Sequence, residues 1–506
     1  MSEHFALLPE YLIAHIQLTL LALLLSTGIS IPLGILATRS LWLERVALGL
    51  AGIVQTVPSL ALLAIMVPIL AGLELPSIGF LPAIIGLTLY GVLPVLRNTV
   101  IGISSVDPAL KEAAQGVGMT PWQQLVRVEL PLAMPVIVAG IRTATVWIVG
   151  VATLSTPVGA TSLGNYIFSG LQIRNYQLVL LGCVSAALLA LSLDALVRTA
   201  EVGLRRRRRL PLVLASLALV LLYSMTALSF AVSRFDNQKP PIVVGAKTFT
   251  EQYILSEIIS GLIEQETGRS TRVIQSLGSM VAFDAITSGE IDLYVDYSGT
   301  IWVNEMNRSH DRSSRDEMLV QVEQYLKSTH GLTMAARLGF ENAYTLAVRA
   351  EDANRLDLQN ISDLTVHAPS LTIGGDYEFF ARPEWTVARD VYDLRFADLR
   401  TMDSTLMYQA VAQHNVDVVS AFSSDGRIAS YDLVALNDDL GAIPPYDALL
   451  LASRRLTEEE PLVVKAISQL HEQISIDRMR NMNLQVDASG ETPTTVANQF
   501  LRRLKE

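Results

Sequence analysis

The stretch KTFTEQ, residues 247–252, separates two parts of the chain that differ in character. The first 240 of the 506 residues contain 15 Lys and Arg against 10 Asp and Glu, whereas the remainder contains 23 against 39. Long apolar runs fill the first part, and short apolar runs alternate with polar turns in the second. This asymmetry predicts a membrane part followed by an acidic soluble part. Because nucleic-acid phosphates need a basic surface, we expect no nucleic acid as a partner.

Six apolar stretches precede KTFTEQ, and each is long enough to cross a bilayer, which takes about 20 mostly apolar residues. They cover residues 12–37, 46–72, 80–101, 132–154, 176–197 and 210–232. The first has no small-residue cleavage site, so we expect a retained span rather than a signal peptide. The only cysteine of the sequence, Cys183, lies in the fifth stretch. An intrachain disulfide and a cysteine-based metal site are therefore excluded.

Basic residues follow the first, third and fifth stretches, in loops that share one side of the membrane. They are Arg39, Arg45, Lys111, Arg127, Arg198 and the arginine run 205–209. Cytoplasmic loops of membrane proteins carry an excess of Lys and Arg. We therefore predict a multi-pass protein of the bacterial inner membrane, with its acidic part on the external, periplasmic side.

The loop between the third and fourth stretches reads EAAQGVGMTPWQQLVRVELP, residues 112–131. This pattern resembles the coupling loop of ABC importer permeases, with Val128 where isoleucine is common. The matching residues are Glu112, Ala113, Ala114, Gly118, Leu130 and Pro131. The resemblance implies that a short helix docks on a separate cytoplasmic ATPase, with Gly118 allowing a sharp turn. The sequence contains no GxxxxGK[ST] motif, so we expect no cofactor in this chain and ATP to be used by that partner.

Arg142 is a charged residue inside the fourth stretch. An ionisable residue within a membrane span either serves transport or pairs with another buried group. The sequence leaves both interpretations open.

The acidic part reads as strands alternating with helices, which predicts α/β lobes with mainly parallel sheets. We expect two lobes that close on a ligand, with residues 242–343 and 447–506 in one lobe and 344–446 in the other. Before them we place a permease domain over residues 1–209, with five spans and a coupling loop at 107–131, and a sixth span with linker over 210–241. Ligands of such sheets bind at the carboxyl ends of strands.

Five motifs of the acidic part, KTFTEQ, DLYVDYSGT, GDYEFFARPE, FSSDGRI and PPYDALL, resemble the binding proteins of osmoprotectant ABC importers. Permeases fused to such domains also include ergothioneine importers. The resemblance implies an aromatic cage with polar contacts beside it. The cage residues are Tyr297, Tyr344, Tyr446 and Phe422, and the polar residues are Lys247, Thr300 and Arg382, with Asn342 where some relatives carry an acid.

A trimethylammonium group has no N–H to donate, so aromatic faces hold its diffuse charge best. A guanidinium such as that of Arg382 suits a carboxylate at the other end of the ligand. The expected ligand is therefore a quaternary-ammonium zwitterion, such as glycine betaine or carnitine, with choline less well matched. Ergothioneine, a trimethylated histidine betaine, is the alternative. The resemblance also implies a permease homodimer.

Two further functions are open to a chain of this organisation. A ligand-gated sensor would not need a coupling loop, and the loop therefore disfavours it. An outer-domain enzyme would need a catalytic constellation, but Asp425, Glu378 and His414 show no triad or metal spacing. We therefore expect a transport subunit rather than an enzyme.

Overall fold

The computed structural model describes residues 7–73, 75–173, 175–206, 208–235, 239–308, 314–376 and 379–505. Arg207 of the arginine run, linker residues 236–238, Tyr377 and Glu378 lie outside the described residues. The chain divides into two compact units. The first comprises Met1–Gly170 and Tyr176–Lys239, and the second comprises Leu171–Asn175 and Pro240–Glu506.

Helices make up the regular structure described in the first unit, as the long apolar stretches predict. They are α1 (Leu8–Ala37), α2 (Leu41–Thr56), α3 (Ser59–Gly72), α4 (Phe80–Ser104), α5 (Pro108–Gly116), α6 (Pro121–Gln124), α7 (Leu130–Ala152), α8 (Gly164–Gln172), α9 (Tyr176–Arg205) and α10 (Arg209–Phe235). A π-turn (Leu125–Glu129) joins α6 to α7, and a 3-10 turn (Thr153–Val158) follows α7. In the described residues, five helices are long and apolar enough to cross a membrane, or six spans if the bent pair α2 and α3 counts as one.

The predicted second span, residues 46–72, is not one continuous helix but a bent pair of helices. Helices α2 and α3 meet at an angle of 101°. Pro58 has no N–H for the helical ladder, and its ring disfavours helical backbone at the preceding residue. Val57 is accordingly extended, with ψ at 130°. The pair is therefore a broken span or a re-entrant segment.

The stretch that resembles a coupling loop folds as two helices joined by a tight turn. Helix α5 begins after Asp107, whose carboxylate accepts a hydrogen bond from the backbone N–H of Ala109. Gly118 follows α5 with φ at +79°, a left-handed conformation that glycine adopts without strain. Thr120 then caps α6 through its hydroxyl. The sharp turn predicted at Gly118 is confirmed, but residues 121–131 are helical and continue into α7.

A buried carboxylate ties this turn to the first helix. Glu129 is fully buried and forms an ion pair of 2.8 Å with Arg39, just beyond the end of α1. It also accepts a hydrogen bond of 2.8 Å from Gln124, which is 3.4 Å from Gln115 on α5. The two helices of the turn and the end of α1 therefore share one polar network.

Arg142 pairs with acidic residues of a neighbouring helix. Its guanidinium donates two hydrogen bonds to the carboxylate of Asp194 on α9, at 2.5 and 3.1 Å, and lies 3.6 Å from Glu201. Bidentate pairing of this kind fixes the orientation of both side chains. Of the two interpretations of Arg142, the structure shows the ion pair, which links α7 to α9.

The second unit contains two five-stranded sheets. The strands are β1 (Ile242–Lys247), β2 (Thr271–Leu277), β3 (Leu293–Tyr297), β4 (Thr333–Glu341), β5 (Tyr344–Arg349), β6 (Thr372–Gly375), β7 (Asp398–Thr401), β8 (Val418–Phe422), β9 (Leu433–Ala435) and β10 (Asp447–Ala452). The sheet orders are β2-β1-β3-β10-β4 and β7-β6-β8-β5-β9. In each sheet two neighbouring pairs are parallel and two are antiparallel. The prediction of mainly parallel sheets was therefore wrong, because β10 and β5 run against their neighbours.

Helices cover the sheets of both lobes. They are α11 (Thr250–Thr267), α12 (Ser279–Thr287), α13 (Ser298–Thr300), α14 (Arg315–His330), α15 (Ala350–Leu356), α16 (Leu364–His367), α17 (Pro383–Val391), α18 (Ser404–Ala412), α19 (Arg427–Ser430), α20 (Arg454–Glu459), α21 (Pro461–Ile467), α22 (Ile476–Asp487) and α23 (Pro493–Leu504). A π-turn (Ile301–Glu305) follows α13, and short 3-10 turns occupy Ile361–Asp363, Ala368–Ser370, Phe379–Ala381 and Ser468–Leu470. The chain crosses from the first sheet to the second between β4 and β5, and returns before β10.

Candidate functional site

A cavity of about 310 Å³ is lined by residues from both sheets of the second unit. All eight residues that the sequence predicts as ligand contacts line it. They are Lys247, Tyr297, Thr300, Asn342, Tyr344, Arg382, Phe422 and Tyr446. Most of them stand at strand ends or just beyond, where the backbone leaves the sheet and side chains turn toward the gap between the lobes. The structure therefore brings the predicted residues together in one place.

Three aromatic rings meet at one wall of the cavity, with Tyr344 at their centre. Its ring centroid lies 4.9 Å from that of Phe422 and 5.9 Å from that of Tyr446, which stands perpendicular to it. Tyr344 and Phe422 are cross-strand partners in the β5–β8 pair, so the register of the sheet sets their contact. Gly299 lies against the ring of Tyr446, where an added Cβ would come within 2.6 Å of ring carbons. This glycine is needed for the ring to approach the backbone so closely.

Tyr297 forms a second aromatic contact in the cavity, at the end of β3. Its ring stacks on that of Phe249 at a centroid distance of 6.1 Å. Phe249 belongs to KTFTEQ and lines the cavity, but it is not among the predicted cage residues. An aromatic residue two positions after a lysine at a strand end was the available signal.

Arg382 stands beside the aromatic cluster. Its guanidinium carbon lies 5.5 Å from the ring centroid of Tyr344, which is a cation–π distance. It also lies 3.6 Å from the buried carboxylate of Glu384, and Glu384 accepts the phenol hydrogen of Tyr446. The positive charge of Arg382 is thus close to the cage rather than at the far end of the cavity.

Lys247 is nearly inaccessible, and its ammonium has an internal partner. Its side chain and that of Asp296 are each 2% exposed, and the Nζ–Oδ1 distance is 2.5 Å. Asp296 also accepts hydrogen bonds from the phenol of Tyr294 and from the backbone N–H of Tyr297. Lys247 therefore contributes a buried ion pair to the lining of the cavity.

Glu251, the fifth residue of KTFTEQ, is a buried acid at the cavity wall. Its carboxylate accepts the phenol hydrogen of Tyr297 and hydrogen bonds from the amides of Asn342, at 3.1 Å, and Asn483, at 3.4 Å. Burial raises the pKa of the Glu251 carboxyl, and these hydrogen bonds oppose the rise. The pKa of Tyr297 is raised by its burial and by the nearby Glu251 carboxylate, so its phenol stays protonated.

Asn483 could not be found from local sequence, because it reaches the site from α22, far along the chain. Its amide also donates a hydrogen bond of 3.0 Å to the backbone carbonyl of Ser424 in the other lobe.

The enzyme candidate Asp425 is bound by the guanidinium of Arg427 through two nitrogens. His414 is exposed beside Glu351 and does not line the cavity. Among the described residues, no group of His, Cys, Asp and Glu has the placement of a metal site.

Glu305 is a partly buried acid that interacts electrostatically with the Lys247–Asp296 pair. Burial, with the nearby carboxylates of Asp296 and Asp284, raises the pKa of Glu305 from 4.5 to about 7, and Lys247 opposes the rise. A raised pKa in the folded state means that protonation favours folding. The stabilisation is present below about pH 4.5, decreases as the pH rises, and is lost above about 7.

We therefore expect Glu305→Gln to be more stable than the natural protein at pH 8 and nearly equal to it at pH 5. Urea unfolding of residues 240–506 at the two pH values measures the difference. Glu323→Gln, on the exposed face of α14, is the matched control and should show no such pH dependence. An equal effect of Glu305→Gln at both values would contradict the prediction.

Two family models match the chain, one for each part. The model described as "Substrate binding domain of ABC-type glycine betaine transport system" matches residues 240–503, and that described as "Binding-protein-dependent transport system inner membrane component" matches residues 30–206. The chain belongs to this family of ABC-type transport proteins. It combines a membrane permease with a substrate-binding domain, and both are transporter components rather than enzymes. The predicted family and fold class are confirmed.

The chain is similar to curated proteins along both parts. It is 31% identical over 468 residues to the "Ergothioneine transport permease/ergothioneine binding protein EgtU" of Helicobacter pylori (strain G27), with 90% of this chain and 83% of that protein covered. It is 43% identical over 187 residues to the "Choline transport system permease protein OpuBB" of Bacillus subtilis (strain 168), covering 37% and 83%. It is 30% identical over 271 residues to the "Carnitine transport binding protein OpuCC" of Listeria monocytogenes, covering 53% and 88%.

Proposed function

We propose that this ABC-type permease and binding chain imports a small zwitterion with a quaternary ammonium group, with glycine betaine and related osmoprotectants as the first candidates. The observation that carries the proposal is the aromatic cluster of Tyr344, Phe422 and Tyr446 at the wall of the cavity. Each aromatic face contributes about 0.5–2 kcal/mol to binding a cation. Several faces together replace the hydration that a trimethylammonium group loses on entering the cavity.

The position of Arg382 favours a short zwitterion. Its guanidinium carbon lies 5.5 Å from the centroid of Tyr344. A ligand that places its ammonium in the cage and its carboxylate on Arg382 must therefore carry its two charges close together. Glycine betaine, whose charges are separated by one methylene group, meets this requirement. Choline lacks the carboxylate and would offer Arg382 only a hydroxyl group.

Ergothioneine is a second candidate, favoured by one specific observation. The Helicobacter pylori relative that matches 90% of this chain, through permease and binding domain alike, is named as an ergothioneine transporter. Ergothioneine also carries a trimethylammonium group and a carboxylate, both attached to the same α-carbon. Its additional ring would need space in the 310 Å³ cavity beside the polar lining residues Ser279 and Asp403.

ATP hydrolysis by a separate cytoplasmic subunit would drive transport, through the turn around Gly118. Two large apolar side chains flank this turn and are strongly exposed: Val117 at 73% and Trp122 at 71%. Exposed apolar residues beside a tight turn favour contact with another protein. We further propose that the permease pairs with a second copy of itself and that the binding domain faces the periplasm.

Replacing Tyr344 with Ala should weaken binding of glycine betaine by about tenfold or more, because the central cation–π face of the cage is lost. Tyr344→Phe keeps the ring and should retain most of the affinity. Isothermal titration of residues 240–506 measures both. This segment corresponds to a separate binding protein in the Listeria monocytogenes relative, so it is suited to study alone.

The same titration with glycine betaine, carnitine, choline and ergothioneine ranks the candidates. Absence of binding to all four compounds would refute the proposed function. Equal affinities for the natural protein and Tyr344→Ala would refute the role of the cage while leaving transport of such a compound open.

A further inference from the structure

We infer that Glu251 determines the specificity of the site by supplying a buried negative charge whose counter-ion is the cation of the ligand. This inference rests on the proposed function and adds a residue to it. The cage residues alone could accept any apolar group of suitable shape. A fixed negative charge beside the cage would make a positive ligand necessary.

The basic residues of the cavity are already paired with other acids. Lys247 pairs with Asp296, Arg382 lies beside Glu384, and Arg427 is bound by Asp425. Glu251, 2% exposed, forms no ion pair with Lys, Arg or His in the part of the chain that the structure describes. Its hydrogen-bond donors there include the phenol of Tyr297, the amides of Asn342 and Asn483 and the side chain of Ser424, all of them neutral.

A buried carboxylate without a cation is costly, because desolvation destabilises its charged form. Neutral donors reduce this cost but leave a net negative potential in a region of low dielectric constant. Because Glu251 lines the cavity itself, that potential extends to any bound molecule. A cation in the cage would compensate the charge and would gain most where water is excluded.

Tyr297 connects this charge to the cage. Its phenol donates to Glu251 and accepts a hydrogen bond of 3.0 Å from Gln252, while its ring lines the cavity. A phenol that donates to a carboxylate carries more negative charge on its ring, and a cation over that face is held more strongly. Glu251 therefore acts on the ligand through space and through the ring of Tyr297.

The test compares a cationic ligand with a neutral-headed isostere on the full chain in lipid nanodiscs. Glycine betaine is paired with 3,3-dimethylbutanoate, in which carbon replaces the ammonium nitrogen. Glu251→Gln keeps a hydrogen-bond acceptor of the same shape and removes the charge. It should weaken glycine betaine binding about tenfold and leave 3,3-dimethylbutanoate binding unchanged or tighter. Glu257→Gln, on the same helix but away from the cavity, is the matched control and should change neither.

Two further variants separate charge from structure. Glu251→Asp retains the charge and should restore most of the preference for glycine betaine over its isostere. In a Tyr297→Phe background, Glu251→Gln should have a smaller effect than in the natural protein, because the phenol link is gone. If Glu251→Gln does not fold, the Glu251→Asp and Tyr297→Phe variants still measure the preference for glycine betaine over 3,3-dimethylbutanoate. Loss of this preference in Tyr297→Phe supports the inference.

Equal weakening of both ligands in Glu251→Gln, or no change in their ratio, would overturn the inference while glycine betaine binding by the natural protein still upheld the proposed function. Failure of the natural protein to bind any trimethylammonium compound would overturn both.

Discussion

Replacing Lys247 with Met should lower the free energy of unfolding of residues 240–506 by about 3–5 kcal/mol, because it leaves the buried carboxylate of Asp296 without its cation. Both side chains of the pair are 2% exposed. A loss of this size is a large fraction of the roughly 5–15 kcal/mol that stabilises a domain. Urea unfolding of the natural and variant segments measures the difference, and the affinity for glycine betaine is measured on the same samples.

Two control variants show whether the loss of stability in Lys247→Met comes from the unpaired charge of Asp296. Lys465→Met removes a lysine from the exposed face of α21 and should change stability by less than about 0.5 kcal/mol. The double variant Lys247→Met with Asp296→Asn removes both charges and should recover much of the loss, because no unpaired charge remains. If Lys247→Met instead keeps its stability and loses ligand affinity, Lys247 acts as a direct ligand contact, as the family resemblance implies.

The location of the site could be predicted from the sequence because strand ends are local features. Tyr297 and Phe422 each close a strand, and Tyr344 begins one. Short apolar runs mark such strands, and the topology of α/β lobes brings their ends to one gap. The hydrogen bonds and ion pairs within the site could not be predicted in this way. That Lys247 contacts Asp296 and that Glu251 receives Asn483 from α22 depend on packing between segments distant in sequence.

Strand direction and helix continuity were the weaker parts of the fold prediction. Alternation of strands and helices does not reveal that β5 and β10 enter their sheets antiparallel to their neighbours. Hydropathy alone does not distinguish one long helix from the bent pair α2 and α3. Pro58, in the middle of this apolar stretch, was the sequence signal for a break. The partner of Arg142 was likewise beyond sequence, since Asp194 lies on another helix.

Replacing Gly118 with Val should abolish uptake of the ligand in cells or proteoliposomes while ligand binding by the chain stays unchanged. Gly118 has φ at +79°, where a β-branched residue is strained, whereas its surroundings leave space for an added Cβ. The variant therefore distorts the turn between α5 and α6 without a clash elsewhere. Helix α5 would lose its orientation toward the proposed ATPase, and ATP-driven movement would no longer reach the permease helices.

Gly116→Ala is the matched control, two residues earlier. Gly116 is the last residue of α5, has no left-handed backbone, and has nothing within 4 Å of an added Cβ. Uptake should remain close to that of the natural protein. Normal uptake by Gly118→Val would refute the coupling role of the turn, and a parallel loss of ligand binding would show general misfolding instead. Loss of uptake with retained binding separates the two steps of transport: capture at the cavity depends on the acidic part, and movement of the ligand depends on a turn of the permease.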